Sequence, residues 1–213
     1  MARRARWIRL GAVDRRALQA ACDGFSVAPS RCAAPIVLWG NSGLPLGELA
    51  QEDERGYLFA VVAPAHLAPG LAARRVSWAL SPAVAACRDF GLRAYLDGCC
   101  LCLHGRRVGG GRAEAIGEWV VVTANLDLGG SPAAQSMCAP EFRTWLREGL
   151  GLAMTQWGGE GDAPPERAFE AALRARIEAQ HGWQFETAWP MKAEQAAIDV
   201  ARREFFASTT ATG

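Results

Sequence analysis

The stretch LHGRRVGGGRAEAIGEWVVVTANLDL, residues 103–128, decides the fold. Its second half, Trp119 to Leu128, carries the strongest strand signal in the chain, because Val120, Val121, Val122 and Thr123 are β-branched in succession. Ile116-Gly117-Glu118 reads as a tight turn before that strand, and Gly105-Arg106-Arg107 as another turn at the start of the stretch. Between the two turns lie Gly109, Gly110 and Gly111, a piece of backbone without side chains. The pattern predicts a hairpin that carries a guanidinium, Arg107, next to bare glycine backbone.

Working outward, Pro35-Ile-Val-Leu-Trp39 and Tyr57 to Ala63 are apolar runs short enough for buried strands, the second closed by Pro64. Gly40 to Gly47 is rich in turn formers and reads as a loop. Asp14 caps a short helix over 14–22 that Gly24 is expected to stop. Residues 68–90 are helical, with Pro69 near the start, Leu71, Val76 and Leu80 at helical spacing, and Gly91 after the end. Pro82 predicts a kink there, or two helices meeting. Residues 92–96 and 99–104 are further strands. Amphipathic helices are expected at 141–157, 165–180 and 191–206, with a Gly- and Pro-rich linker over 158–165. Mixed strands and helices followed by closing helices point to an α+β fold, a mixed sheet flanked by helices with a helical C-terminal segment. The expected division is 1–140 for the catalytic-type domain and 141–213 for that segment, packed on the same domain.

Composition narrows the function. Half of the 213 residues are hydrophobic and the net charge is +1, so neither a nucleic-acid nor a membrane-surface partner is expected. The basic start, Met1 to Arg6, is too short a patch to change that. No apolar run has the length of a signal core or a membrane span, and the seven cysteines are odd in number and irregular in spacing. A reducing, cytoplasmic setting with free thiols is the expectation. Lys192 is the only lysine, which reads as a mutational bias toward arginine; a lysine required for chemistry should resist that bias.

Residues 35–128 resemble the catalytic domain of biotin and lipoate protein ligases. The family's central hairpin has a lysine after a Gly-containing turn, an aliphatic residue, two small residues, and a strand that ends near an asparagine. Arg107 stands at the lysine position, Val108, Gly109 and Gly110 follow it, Glu114 falls on a glutamate common in the family, and Asn125 lies near the end of the next strand. Gly43-Leu-Pro-Leu-Gly47 and the strand from Gly56 resemble the ligand-binding loop and its successor. The resemblance implies a class II synthetase-like fold and a site for ATP and a biotin- or lipoate-like carboxylic acid. Its partner would be an acyl-carrier (biotinyl or lipoyl) domain. In that chemistry a fixed cation bridges carboxylate and phosphate where negative charge builds up, and glycines let backbone N–H groups approach the phosphate. On this basis Arg107 is the catalytic candidate. Gly43, Gly47, Val108, Gly109, Gly110, Glu114 and Asn125 are the ligand-binding candidates.

Four departures argue against ordinary biotin adenylation. Residues 43–47 lack the family's loop arginines, and the expected Trp-Pro-Asn-Asp is Asp97-Gly98-Cys99-Cys100. A Gly-Ile-Gly segment is replaced by Thr123-Ala124-Asn125, adding bulk where an adenine packs. The lysine is an arginine, which keeps the charge but not the geometry.

Alternatives stay open at several positions. Arg107 either binds an anion or is a solvated turn residue, and glycines 109–111 either cradle a phosphate or form a bulge. Cys138 lies where related octanoyltransferases carry a nucleophilic cysteine, which makes it a second catalytic candidate, for acyl transfer; otherwise it is a small buried hydrophobe. A non-catalytic binding module for a small carboxylate or nucleotide is the third reading. Cys100, Cys102 and His104 share one strand face, but no fourth ligand is evident and no metal is expected. His66 and His181 have no partner motif. Trp145, Trp157, Trp183 and Trp189 are read as packing helices onto the sheet, with a partner surface as the alternative.

Overall fold

A computed structural model describes residues 2–28, 34–42, 56–103, 105–126 and 165–210. The expected helix at 141–157, the linker after it, residues 43–47 and Cys138 lie outside the described residues. Eight strands form one sheet: β1 (Arg3–Ala12), β2 (Ile36–Ser42), β3 (Gly56–Pro64), β4 (Ala94–Asp97), β5 (Cys100–Leu103), β6 (Arg106–Ile116), β7 (Trp119–Leu126) and β8 (Trp183–Thr187). Their order is β4-β5-β6-β7-β3-β2-β1-β8. The chain from β2 to β7 pairs antiparallel, whereas β1 runs parallel to both β2 and β8. Helices α1 (Arg15–Val27), α2 (Ala72–Asp89), α3 (Pro165–His181) and α4 (Lys192–Thr210) cover the sheet, so the fold is the expected α+β mixed sheet flanked by helices.

Strand periodicity sorts the core onto two faces. Trp7, Val37, Trp39, Phe59, Val61, Val120 and Val122 pack under α2 and α3, meeting Leu80, Ala83, Phe169 and Leu173. Ile8, Ile36, Leu38, Leu58, Ala60, Val62 and Val121 pack under α1 and α4, meeting Leu18, Phe25 and Ile198. Each fully buried large apolar side chain contributes about 1.5–3 kcal/mol. The two faces together secure the central strands.

Several elements differ from expectation, each for a physical reason. The basic start is an inner strand, β1, because its arginines find carboxylates. Arg6 donates to both oxygens of Glu194 at 2.6 and 2.9 Å, and Arg9 Nε to Glu170 at 2.7 Å, beside the Trp7 indole N–H on the same oxygen. Strand β8 adds to β1 as a sheet edge, with Trp183 and Phe185 turned inward. Helix α1 does begin at its Asp14 cap, whose side chain accepts from the Ala17 N–H at 2.6 Å. It passes through Gly24, however, because there it crosses α4. A Cβ on Gly24 would sit 2.6 Å from the Ile198 backbone nitrogen. Helix α2 likewise continues through Pro82 as one helix. Proline leaves the Trp78 carbonyl without its usual donor, and the Ser81 hydroxyl supplies one at 3.1 Å. Arg106 and Arg107 lie in β6; at the turn before it Gly105 takes φ +82°.

Two consequences are testable. Gly24→Ala should lower stability by about 1–3 kcal/mol, read from the urea midpoint, because the clash with α4 backbone outweighs the gain in helix propensity. His181 is the second case: burial lowers its pKa from 6.5 to about 4, so the fold holds it neutral. The unfolded chain takes up that proton first as pH falls, so this contribution is complete above pH 6.5 and is lost between 6.5 and 4. Urea midpoints across that window should fall less steeply in His181→Phe than in the wild type.

Candidate functional site

Where β1 hands over to α1, the first turn of the helix overhangs β6 and β7. The hairpin below it pairs Gly110 with Asn125 and Arg112 with Thr123, across the turn made by Gly117 at φ +57°. Asn125 in turn faces Leu58 of β3. By strand alternation Gly110, Arg112, Thr123, Asn125 and Leu58 therefore share the α1 face. With Arg15, Leu18 and Gln19 of α1 and with Arg107, they line a cleft of about 320 Å³.

Its floor is bare because the backbones leave no room. A Cβ on Gly109 would sit 2.2 Å from the Asn125 carbonyl oxygen, and one on Gly110 would sit 3.0 Å from the Cys99 carbonyl and 3.3 Å from Arg107 Nη2. The Gly111 N–H is committed, donating to the Cys99 carbonyl at 2.9 Å. Cys102 pairs with Arg107 and Leu101 with Gly109, so Val108 is an extra residue on β6. That is a β-bulge, and it lies one residue before the glycines. Val108 turns its side chain into the core, which confines any part it has in the site to its backbone.

Arg107 projects from the bulge and folds back over the glycines, with Nε donating to its own strand's Gly109 carbonyl at a long 3.4 Å. Among the described residues it has no carboxylate partner. Arg112 makes a 3.8 Å contact with Glu114 in which its own side chain is 83% exposed, an interaction of little worth. Glu114 also accepts a hydrogen bond from Gln19, which ties the hairpin to α1. The cleft is thus lined by three arginines, Arg15, Arg107 and Arg112, together with the polar Asn125, Gln19 and Thr123. The Cys100 thiol, opposite Gly110 on β5, is pushed up by desolvation and by its hydrogen bond with Cys99, against the pull of Arg107. It is a poor nucleophile as it stands.

Of the residues singled out from the sequence, Arg107, Gly110 and Asn125 meet at the cleft, and Gly109 lies beneath the guanidinium. Glu114 stands further along β6 in its contact with Gln19, while Gly43, Gly47 and Cys138 lie outside the described residues. Arg15, Gln19 and Arg112 were not singled out, and Thr123 only as a departure. Alternation from Gly110 points to Arg112 and, across the hairpin, to Thr123. No local pattern points to α1.

No protein-family model matches the chain, and no curated protein matches it. Solved structures do. A bipartite lipoate protein ligase from Thermoplasma acidophilum, studied with its E2 lipoyl domain, has a TM-score of 0.64 at 12% identity, covering 94% of this chain and 92% of that one. A lipoate-protein ligase A with bound ATP gives 0.64 at 11% identity, with 94% of each chain covered. The biotin acetyl coenzyme A carboxylase synthetase of Helicobacter pylori, with biotinylated ATP, gives 0.50 at 10% identity over 83% of this chain and 75% of that one. The chain has the biotin/lipoate ligase-like fold, at a far distance in sequence.

The floor geometry makes a prediction. Gly109→Ala should cost about 2 kcal/mol, since the clash is with backbone, or about 4–8 °C in melting temperature at this chain length. Gly110→Ala should cost less, because its Cβ would stand 3.0 Å from the Cys99 carbonyl oxygen where that of Gly109 would stand 2.2 Å from the Asn125 carbonyl oxygen, and the Arg107 side chain can move aside. Equal losses in the two variants would contradict the packing described.

Proposed function

We propose that the cleft binds a biotin- or lipoate-like carboxylic acid, or its acyl group in transit to or from a biotinyl- or lipoyl-carrier domain, without the adenylation activity of an ordinary biotin ligase. One observation carries this reading: the exposed Arg107 side chain, without a carboxylate partner among the described residues, lies beside bare glycine backbone at the wall of a cleft, in a biotin/lipoate ligase-like fold. A carboxylate makes shorter and stronger hydrogen bonds to that fork than the Gly109 carbonyl does at 3.4 Å. Leu18 and Leu58 offer apolar surface to an alkyl chain, and Asn125 offers an amide.

The residues present also fit a phosphate chain, since Arg15 and Arg112 add charge and Gly110 has no Cβ to hold an oxyanion off. ATP, when bound, would supply the adenylyl group that activates a carboxylate, with pyrophosphate as the leaving group. What this chain supplies is charge and orientation. Two features speak against ordinary turnover: Thr123 intrudes on the floor, and the cation that would bridge two anionic groups is a fork suited to the two oxygens of one.

The test is calorimetric titration with lipoic acid, octanoate and biotin, with and without ATP and magnesium, alongside pyrophosphate release. At least one acid should bind saturably, and Arg107→Ala should weaken it at least tenfold. Pyrophosphate should stay at the level without enzyme. Failure of every acid to bind would sink the assignment, and release at ligase rates would make the protein an ordinary ligase.

A further inference from the structure

Trp78 of α2, His181 at the end of α3 and Trp183 at the start of β8 meet at the end of the sheet remote from the cleft and on its other face. Gly182, at φ +66°, makes the turn that brings the last two together. The imidazole lies 4.7 Å from the Trp78 ring and 4.9 Å from the Trp183 ring, and the two indoles are 5.9 Å apart, edge to face. They wall a second cavity of about 490 Å³, completed by Arg3, Leu67 and Gln180. Leu58, near the start of β3, lines the first cleft and Leu67, just past its end, the second. At about 3.3 Å per residue the six steps of β3 from Leu58 to Pro64 alone separate the two sites by roughly 20 Å.

Two groups at this cavity lack partners. Among the described residues His181 Nε2 is buried without a hydrogen bond to any protein group. Burial keeps the ring neutral, with a pKa of about 4, and the Gln180 backbone favours the proton on the other nitrogen. Nε2 is therefore a bare acceptor, a state that costs about 1–3 kcal/mol. Arg3 donates its backbone N–H to the Gly182 carbonyl at 3.0 Å, yet its guanidinium has no carboxylate among the described residues, whereas its neighbour Arg4 contacts Glu186 at 3.7 Å.

These features select a ligand by exclusion. Ring faces favour a flat body. The cation excludes the ammonium ligands that aromatic cages otherwise take. A lone-pair acceptor asks for a ring N–H. A single guanidinium balances the single charge of a carboxylate better than the larger charge of a phosphate. We propose that this cavity is a second ligand site, for a planar heteroaromatic carboxylate that stacks on Trp78, donates a ring N–H to His181 Nε2 and pairs with Arg3. Nε2 has no open surface of its own, so binding requires the half-buried Trp78 side chain to move aside and admit the ring, while Trp183, only 5% exposed, stays in the core.

Calorimetry and ¹H–¹⁵N correlation spectra of the full chain test it with four probes. Orotate and indole-2-carboxylate carry both a ring N–H and a carboxylate, uracil only the N–H, and benzoate only the charge. At least one of the first pair should bind at least tenfold tighter than uracil and benzoate, shifting the Trp78 indole resonance. Arg3→Ala, at an exposed position, and His181→Phe, which keeps a ring, should each weaken that binding at least tenfold, while Arg107→Ala should leave it unchanged. Should His181→Phe fail to fold, Arg3→Ala and the probe ranking decide. The site is overturned if neither heteroaromatic acid binds at millimolar concentration, if all four bind alike, or if binding survives loss of Arg3.

Discussion

Three successive glycines on an inner strand are the constraint on which the candidate site depends. β6 is held between β5 and β7, so its backbone position is set by two ladders at once. At Gly109 and Gly110 those neighbours come so near that a methyl group would meet the Asn125 or Cys99 carbonyl oxygen. Glycine in a strand costs about 0.5–1 kcal/mol relative to alanine. The hydrophobic faces of β3 and β7 on either side of the core make that cost tolerable. The same absence of side chains that lets the strands close up leaves a bare floor beside Arg107. Packing and opening of the site are one feature.

The arginines of this protein divide by partner. Arg6 holds α4 onto β1 through Glu194, whose side chain is 1% exposed and which also accepts the Met191 N–H at 2.7 Å. Arg176 pairs with Asp89 to join α3 to α2, its Nε donating at 2.6 Å. Removing one member of the largely buried Arg6–Glu194 pair strands a charge, at about 3–5 kcal/mol, whereas the half-exposed Arg176 is screened by solvent and its pair with Asp89 holds the two helices less strongly. Among the described residues Arg107 has no such carboxylate. In a chain whose only lysine is Lys192, arginine must serve every cationic purpose, and the partner rather than the residue type tells structure from function.

Much of this was legible in sequence because it is local. The β-branched run of β7, the apolar β3, the Asp14 cap and the turn at Gly117 each carry their own signal within a few residues. What escaped is what distant residues supply. Arg3 to Arg9 do not look like a strand until Glu170 and Glu194, more than 150 positions away, neutralise two of them. Gly24 looks like a stop until α4 is laid across it, and Pro82 looks like a break until Ser81 covers the orphaned carbonyl. The site divides the same way. Arg107, Gly110 and Asn125 lie on one hairpin and could be read together, whereas Arg15 and Gln19 reach the cleft only because β1 runs beside β2 and ends near it.

The proposed change of chemistry follows from shape more than from charge. An ammonium is compact and can share its protons among a carboxylate on one side and a phosphate on the other. A guanidinium offers parallel N–H groups in a plane, which match two oxygens of one acid. Here Arg107 sits one residue before the bulge and lies over the glycines, its Nη2 3.3 Å from where a Gly110 Cβ would stand. Moving it to straddle two ligands would lift it off the glycines that shape the floor. Restoring a lysine alone would shorten the reach without removing Thr123 from that floor. On the proposed reading, loss of adenylation is therefore a property of the whole hairpin, and a single Arg107→Lys exchange does not undo it.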